Sequence, residues 1–372
     1  MRILHVSDCY APRTGGIESQ VRDLARAQAA AGHEVHVLTA TLGTGAERGG
    51  VVQDDDGVQV HRLGARLPFE LPVNPAAVPR MRTVMRGLAP DVVHVHAGVV
   101  SPFAYDGARV ALREGLPLAI TWHCMLDGVV PALRLAARLR WRGAPVALSA
   151  VSGAAAERVE AAFGGPVGIV PNGVDLEAWR PSGVPVPSDG PLRCVATMRL
   201  APRKRGLALL GVVEDAVAQL APGALRVDVV GDGPQRAAIA RRVERRGLAD
   251  VVALRGRMTR EQVRATYADA DVFLAPAVLE AFGIAALEAR AAGLVVVARR
   301  GTGIAEFVTD GIDGLLVDDD AGMARALVRL ASDHALLARL RGHAAVHRPM
   351  QGWRVTLAAA QAEYARAAAV VR

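Results

Sequence analysis

Cysteine is scarce in this chain. There are three in 372 residues, Cys9, Cys124 and Cys194, far apart and in no paired spacing. That excludes a disulfide framework and a cysteine zinc site, and it makes a reducing cytoplasm the expected compartment. Aromatic residues are only 4% of the chain and never interleave with basic ones as a base-stacking surface requires, so nucleic acid is not an expected partner. Long apolar runs are missing too. Runs such as GLVVVA at 293–298 fall far short of the ~18–20 residues of a membrane span. The opening MRILHVSD has one basic residue and a short apolar stretch broken by His5, and reads as a first strand rather than a signal peptide.

Apolar residues, by contrast, make up 51%, enough to build sizeable cores. The formal charge is +7, and nearly all the basic residues are arginine. GC-rich coding enriches arginine and alanine together, so only part of this excess speaks for an anionic partner such as a nucleotide phosphate or an acidic membrane surface.

Short Val/Ile/Leu runs alternate with helical stretches along the whole chain. RILHVSD (2–8), EVHVLTA (34–40), VQVHRLG (58–64), DVVHVHAG (91–98), PLAITWH (117–123), PVALSAVS (145–152) and PVGIVPNGVD (166–175) form one series. A Pro/Gly-rich run, RPSGVPVPSDGP (180–191), reads as a linker. A second series follows it: LRCVATM (192–198), LRVDVVGDG (225–233), VVALRG (251–256), ADVFLAP (270–276), LVVVARR (294–300) and GLLVDDD (314–320). The pattern predicts two doubly wound α/β domains, each with a parallel sheet covered on both faces. Ligands of such sheets bind beyond the carboxyl ends of the strands, so the residues following each strand carry the functional argument.

Five stretches stand out there. In PRTGGIESQ (12–20), Gly15 and Gly16 let the backbone approach a ligand at a helix N-terminus, which suits a pyrophosphate as well as a simple tight turn. In VVHVHAG (92–98), His94 and His96 share one strand face, and His96 is the one placed to reach a ligand; His123 is a similar, weaker case. In TMRLAPRKRG (197–206), Arg199 and Lys204 follow a strand, where a forked cation and a point charge suit a diphosphate; Arg203 and Arg205 read as a solvated basic loop. In VVGDGPQR (229–236), Gly231 and Gly233 sit at a strand–helix turn. Finally, APAVLEAFGIAALEARAAG (275–293) carries Glu280 before a helix that can start near Gly283. Glu288 lies about five residues into it, roughly 7.5 Å along the axis. Two carboxylates so placed suit an elongated polyhydroxyl ligand rather than one shared proton, and the backbone around Phe282, Gly283 and Ile284 can meet an anion. DAD (269–271) and DDD (318–320) read as structural.

The order of GGIE, HVH, PNGVD, MRLAPRK, GDGP, the Glu280/Glu288 pair and GTGIAE (301–306) resembles the family 4 retaining glycosyltransferases over nearly the whole chain. The resemblance implies the GT-B fold, two Rossmann-like domains facing a central cleft. Residues 1–176 would be the acceptor-side domain, with helix 353–372 packing back on it, and 177–352 the domain that binds a nucleotide sugar. It implies transfer, with retention, of a hexose from a UDP- or GDP-sugar to a hydroxyl acceptor such as a lipid or glycan, with no metal and no other cofactor. The alternatives are a sugar-nucleotide epimerase of the same fold and an inactive nucleotide-sugar-binding protein. Carried over residue by residue, Gly16, next to Gly15, resembles the donor to the diphosphate. His96 resembles the histidine beside the transferred sugar, and Arg199 and Lys204 the diphosphate clamp. Glu280 with the backbone of Phe282, Gly283 and Ile284 resembles the sugar site, Glu288 the ribose site, and Asn172 and Asp175 the hinge. Gly231 joins the donor-binding set. The chain departs from the family pattern at Met198, Ala277, GLVVVA and GTGIAE. The basic amphipathic stretch 131–143, with Arg134, Arg138 and Arg142, is a candidate peripheral contact with the inner face of a membrane, to be weighed against an ordinary solvated helix.

Overall fold

The computed structural model describes residues 1–13, 15–43, 51–65, 74, 76–140, 143–181 and 190–371, the side chains of 136–140 excepted. The chain divides into two compact units, 1–173 with 353–372, and 174–352. The predicted linker at 180–191 thus begins inside the second unit, and its residues 182–189 lie outside the described ones.

The first unit holds β1 (Arg2–Ser7), β2 (Glu34–Thr39), β3 (Val51–Asp54), β4 (Val58–Arg62), β5 (Val92–Ala97), β6 (Leu118–Trp122), β7 (Val146–Ala150) and β8 (Val167–Ile169). They form one sheet in the order β3-β4-β2-β1-β5-β6-β7-β8. All pairs are parallel except β3 with β4, an antiparallel edge that the apolar pattern does not announce. Its alternating half-exposed burial explains why: a two-faced edge strand has no continuous apolar run. Helices α1 (Gly16–Ala30), α2 (Ala77–Leu88), α3 (Pro102–Arg113), α4 (Val130–Arg140) and α5 (Gly153–Phe163) connect the strands. At Gly107 of α3 a side chain would strike Val6 of β1, so the missing Cβ is what lets this helix lie close on the sheet.

The second unit has β9 (Leu192–Thr197), β10 (Leu225–Val230), β11 (Val252–Gly256), β12 (Val272–Ala275), β13 (Val295–Arg299) and β14 (Gly314–Val317) in the order β11-β10-β9-β12-β13-β14, all parallel. The order reverses between β9 and β12, a topological switch point where doubly wound sheets bind ligands. Helices α6 (Gly206–Val217), α7 (Arg236–Arg245), α8 (Arg260–Ala268), α9 (Ile284–Ala291), α10 (Asp320–Ser332) and α11 (His334–Val346) cover it. The core is aliphatic, with Val213, Val272, Leu327 and Leu340 fully buried. The last helix, α12 (Trp353–Val371), belongs to the first unit, where Ala360, Tyr364 and Ala367 pack against Ile3, Val92 and Ala119. Among the described residues no helix is long and apolar enough to cross a membrane.

Candidate active site

In the second unit the carboxyl ends of β9, β10 and β12 bring together residues distant in sequence. The chain leaving β9 runs through Arg199 into a 3-10 turn at Pro202–Lys204. Arg199 is exposed, and its guanidinium makes no ion pair among the described residues. Lys204, the only lysine in the chain, donates from Nζ to Glu280 Oε2, with both side chains mostly buried. Arg205 is not a loose solvated group. It is left-handed (φ 60°), begins α6, and forks onto Asp320 through two 2.8 Å bonds while donating to the carbonyl of Pro276. It therefore ties the β9 loop to the end of β12. Arg203 is exposed, as expected of a solvated basic loop.

Glycines set the closeness of this region. A Cβ on Gly231 (φ 127°) would run into the carbonyl of Met198, and one on Gly233 would meet Leu200. The turn after β10 thus lies flat against the chain leaving β9. Gly303 plays the same part opposite the glutamate loop. Its N–H donates to the Glu280 carbonyl at 2.9 Å, and a Cβ there would strike the backbone of Ala281 and Phe282. The second glycine of GTGIAE is the one packing requires.

Phe282 is buried, and Gly283, at φ 90°, begins α9 without any side-chain cap, so the first N–H groups around Ile284 are not taken by a capping side chain. Glu288 follows one turn in, half-buried. Its charge, after burial itself, helps hold the Tyr267 phenol well above its ordinary range, and Tyr267 in turn donates to Thr197 at the end of β9 (3.0 Å). The acidic runs are committed elsewhere. Asp271 is held by Arg193 and Arg341, Asp319 caps α10 through Gly322 N–H, and Asp320 takes Arg205 and Arg299.

In the first unit, Gly15 precedes α1 and Gly16 opens it, again without a side-chain cap. Asn172 is buried; Asp175, already in the second unit, accepts from the N–H groups of Glu177 and Ala178 as a local turn. His96 is 2% exposed, and both its nitrogens are engaged, Nε2 with His5 and Nδ1 with His123, each at 2.9 Å. The partly exposed position at the end of β6 is held by His123. Burial pulls His5 and His123 down to about 4 and holds His94 and His96 well below the usual histidine range. The ring nitrogens of His5, His94 and His96 lie within 4.8 Å of one another, close enough to suggest a metal. Every one of them already has a hydrogen-bond partner, which is the arrangement of neutral rings bonded to each other. Sequence reasoning missed Asp8. At the end of β1 it accepts from Phe103 N–H at the start of α3, and burial raises its carboxyl to about 6.

The sequence profile described as Glycosyltransferase Family 4 matches residues 14–178, and that described as Glycosyl transferases group 1 matches 192–333. The chain is 30% identical to a phosphatidylinositol N-acetylglucosaminyltransferase subunit of Arabidopsis thaliana, over 89% of this chain and 74% of that one. It is 28% identical to a GDP-mannose-dependent alpha-mannosyltransferase of Mycolicibacterium smegmatis, over 86% and 85%. The crystal structure of Anabaena HepE in complex with UDP and glucose superposes with a TM-score of 0.74 at 20% identity, covering 97% of this chain and 99% of that one, which establishes the GT-B fold. The matched profiles and relatives define a glycosyltransferase. The chain belongs to the family 4 glycosyltransferases.

Proposed function

We propose that the protein transfers a hexose, with retention, from a UDP- or GDP-sugar to a hydroxyl acceptor. The observation that carries this is the grouping at the carboxyl ends of β9 and β12: an exposed Arg199, the Lys204–Glu280 pair, and the uncapped start of α9. Cations and a helix N-terminus suit a diphosphate, while the carboxylates of Glu280 and Glu288 suit hydroxyls. In the free protein Lys204 and Glu280 neutralise each other. The donor brings a partner for each, phosphate oxygens for Lys204 and sugar hydroxyls for Glu280. Gly231 and the backbone from Phe282 to Ile284 then border the donor, and Glu288 takes the ribose. From the first unit, Gly15, Gly16 and Asn172 belong to the donor-binding set in this reading, and His96 acts through its neighbour His123.

In the transfer step the acceptor oxygen bonds to the anomeric carbon as the bond to the diphosphate oxygen breaks on the same face. The hydroxyl proton passes to the departing diphosphate. Arg199, Lys204 and the α9 N-terminus stabilise the charge that develops there. No close carboxylate pair of the double-displacement kind is needed, since a spacing of ~5–5.5 Å serves that other chemistry. The reaction proceeds without a metal in this reading, a view supported by the commitment of Asp271, Asp319 and Asp320 to arginines and a helix cap. Undiminished turnover in EDTA is expected.

Stabilisation by UDP, GDP, ADP and dTDP in thermal melts identifies the nucleotide. Turnover of the matching sugar by the wild type, Lys204→Ala and Glu280→Ala then tests the site, and equal rates in all three would remove it. The relatives' names span more than one donor sugar, so the base is for the melt to decide.

We place the protein in the cytoplasm, as its three free cysteines favour, with peripheral membrane contact through 131–143. Arg134 of that stretch donates to Ala161 O, and Leu135 is 60% exposed; Arg138 and Arg142 lie outside the described side chains. Sedimentation with anionic but not neutral liposomes is the expected result, and no lipid-dependent binding ends this part of the reading.

A further inference from the structure

The buried histidines of the first unit form part of one unbroken hydrogen-bond chain. From its outer end, His123 Nε2 meets His96 Nδ1 at 2.9 Å, and His96 Nε2 meets His5 Nδ1 at 2.9 Å. His5 Nε2 meets the amide oxygen of Gln28 at 2.6 Å. The Gln28 amide nitrogen donates to the Tyr364 hydroxyl at 2.8 Å, and that hydroxyl meets His94 Nδ1 at 2.9 Å. His94 Nε2 meets Thr121 Oγ1 at 2.7 Å, Thr121 meets Ser149 Oγ at 2.8 Å, and Ser149 donates to the Ile120 carbonyl at 3.3 Å.

One group gives this chain a direction. An amide oxygen only accepts and an amide nitrogen only donates. Gln28 turns its oxygen to His5, so the His5 proton sits on Nε2 and its Nδ1 must accept. His96 then donates from Nε2 and accepts at Nδ1, so His123 donates from Nε2. On the other side Tyr364 receives from Gln28 and gives its own proton to His94 Nδ1, so His94 carries its proton on Nε2 as well. The sequence runs on to a carbonyl, which ends it. His5, His94 and His96 each accept at one nitrogen, so none of the three can be a cation without breaking a link, and burial independently keeps all four rings neutral. One nitrogen is left over. His123 Nδ1 has no partner among the described residues, and the residue stands partly exposed at the carboxyl end of β6.

We propose that Gln28 of α1 and Tyr364 of α12 are positioning residues that, through His5 and His96, fix His123 in the tautomer whose free nitrogen is an acceptor. His123 then presents a lone pair, in a set orientation, to a hydroxyl of the sugar or of its acceptor. Its ligand rests on the glycosyl-transfer reading; its tautomer does not. The assignment also gives His96 a purpose that its burial otherwise denies it.

The test is long-range proton–nitrogen NMR of the full chain labelled at histidine nitrogen, at pH 7, together with turnover of the nucleotide sugar that the wild type accepts. In the wild type His5, His94, His96 and His123 all give the neutral Nε2–H pattern. Gln28→Met removes the director, so His123 relaxes to a mixture of tautomers, and kcat falls by roughly tenfold or more. Gln28→Glu still accepts from His5 and, in the protonated form that burial favours, still donates to Tyr364, so the single His123 pattern returns and kcat recovers. A merely structural glutamine would move melting temperature and rate together in both variants and leave the tautomer alone. An Nδ1–H signal for His123 in the wild type, which is the chain running the other way, overturns the proposal. So does an unchanged His123 signal in Gln28→Met, or a stoichiometric metal ion in the purified protein. If neither variant folds, the wild-type spectrum decides by itself. Absence of turnover on every nucleotide sugar would count against the proposed function while leaving the tautomer measurement intact.

Discussion

The two units place different kinds of group at the carboxyl ends of their parallel strands. In the second unit the groups are charged and reachable: Arg199 is exposed, and Lys204 and Glu280 are each other's partner while keeping some contact with water. In the first unit they are neutral and largely enclosed, with His5, His94 and His96 at most 2% exposed. The difference follows from what burial permits. A charge taken fully out of water needs a permanent partner, so a cation meant for a ligand must stay partly hydrated or be lent to a partner that can be exchanged. Neutral imidazoles can be enclosed at little cost once every nitrogen is bonded, and enclosure gives them one orientation.

Acid should separate the units most sharply. Unfolded histidine binds its proton near 6.5, whereas folded His5, His61 and His123 resist until about 4 and His94 and His96 are also held well down. The unfolded chain therefore binds more protons below 6.5, and stability falls as pH drops from 6.5 towards 4. Asp8, raised to about 6, works the other way: what it contributes grows on acidification through 6. Five histidines outweigh it, and a loss of several kcal/mol, about 1.4 per histidine per pH unit at most, is expected. Melts at pH 7.5 and 5.5 would show it in the first unit, and a first unit no less stable at pH 5.5 would break the contrast.

Arg199→Ala and Lys204→Ala are each expected to lower kcat by roughly 10²–10³-fold with folding unchanged, read from turnover and melting temperature together. Next comes Gly303→Ala, whose new methyl meets the backbone of Ala281 and Phe282. A cost of about 2–3 kcal/mol in denaturant unfolding is expected, and more nearly neutral behaviour would mean that the glutamate loop is not braced there. Glu280→Ala frees Lys204, so calorimetry should find the free nucleoside diphosphate bound a few-fold more tightly even as sugar transfer is lost. Smallest is Arg203→Ala, exposed beside the site, with changes within about 0.5 kcal/mol.

Much of this was legible in the chain itself. The alternation of apolar runs and helical stretches pointed to two parallel sheets, because a strand buried on both faces must be apolar throughout. Gly231 was readable at a strand–helix turn and Gly283 at a helix start, and Lys204, alone among dozens of arginines, is a signal that composition hides and position reveals. For His96 the sequence went only halfway. Spacing correctly put His94 and His96 on one strand, but which histidine is left partly exposed depends on the strand beside it.

What the sequence determined, then, is local: which segments become strands and helices, and which residues follow a strand's carboxyl end, since both depend on neighbours along the chain. The tertiary structure alone decided the partners. Lys204 and Glu280 are 76 residues apart, and Gln28 and Tyr364 are separated by 336. Such pairs exist because the sheet order places β9 beside β12 and because the last helix returns to the first unit. A hydrogen bond's direction is set by the atom that faces it, and no spacing along the chain specifies that atom.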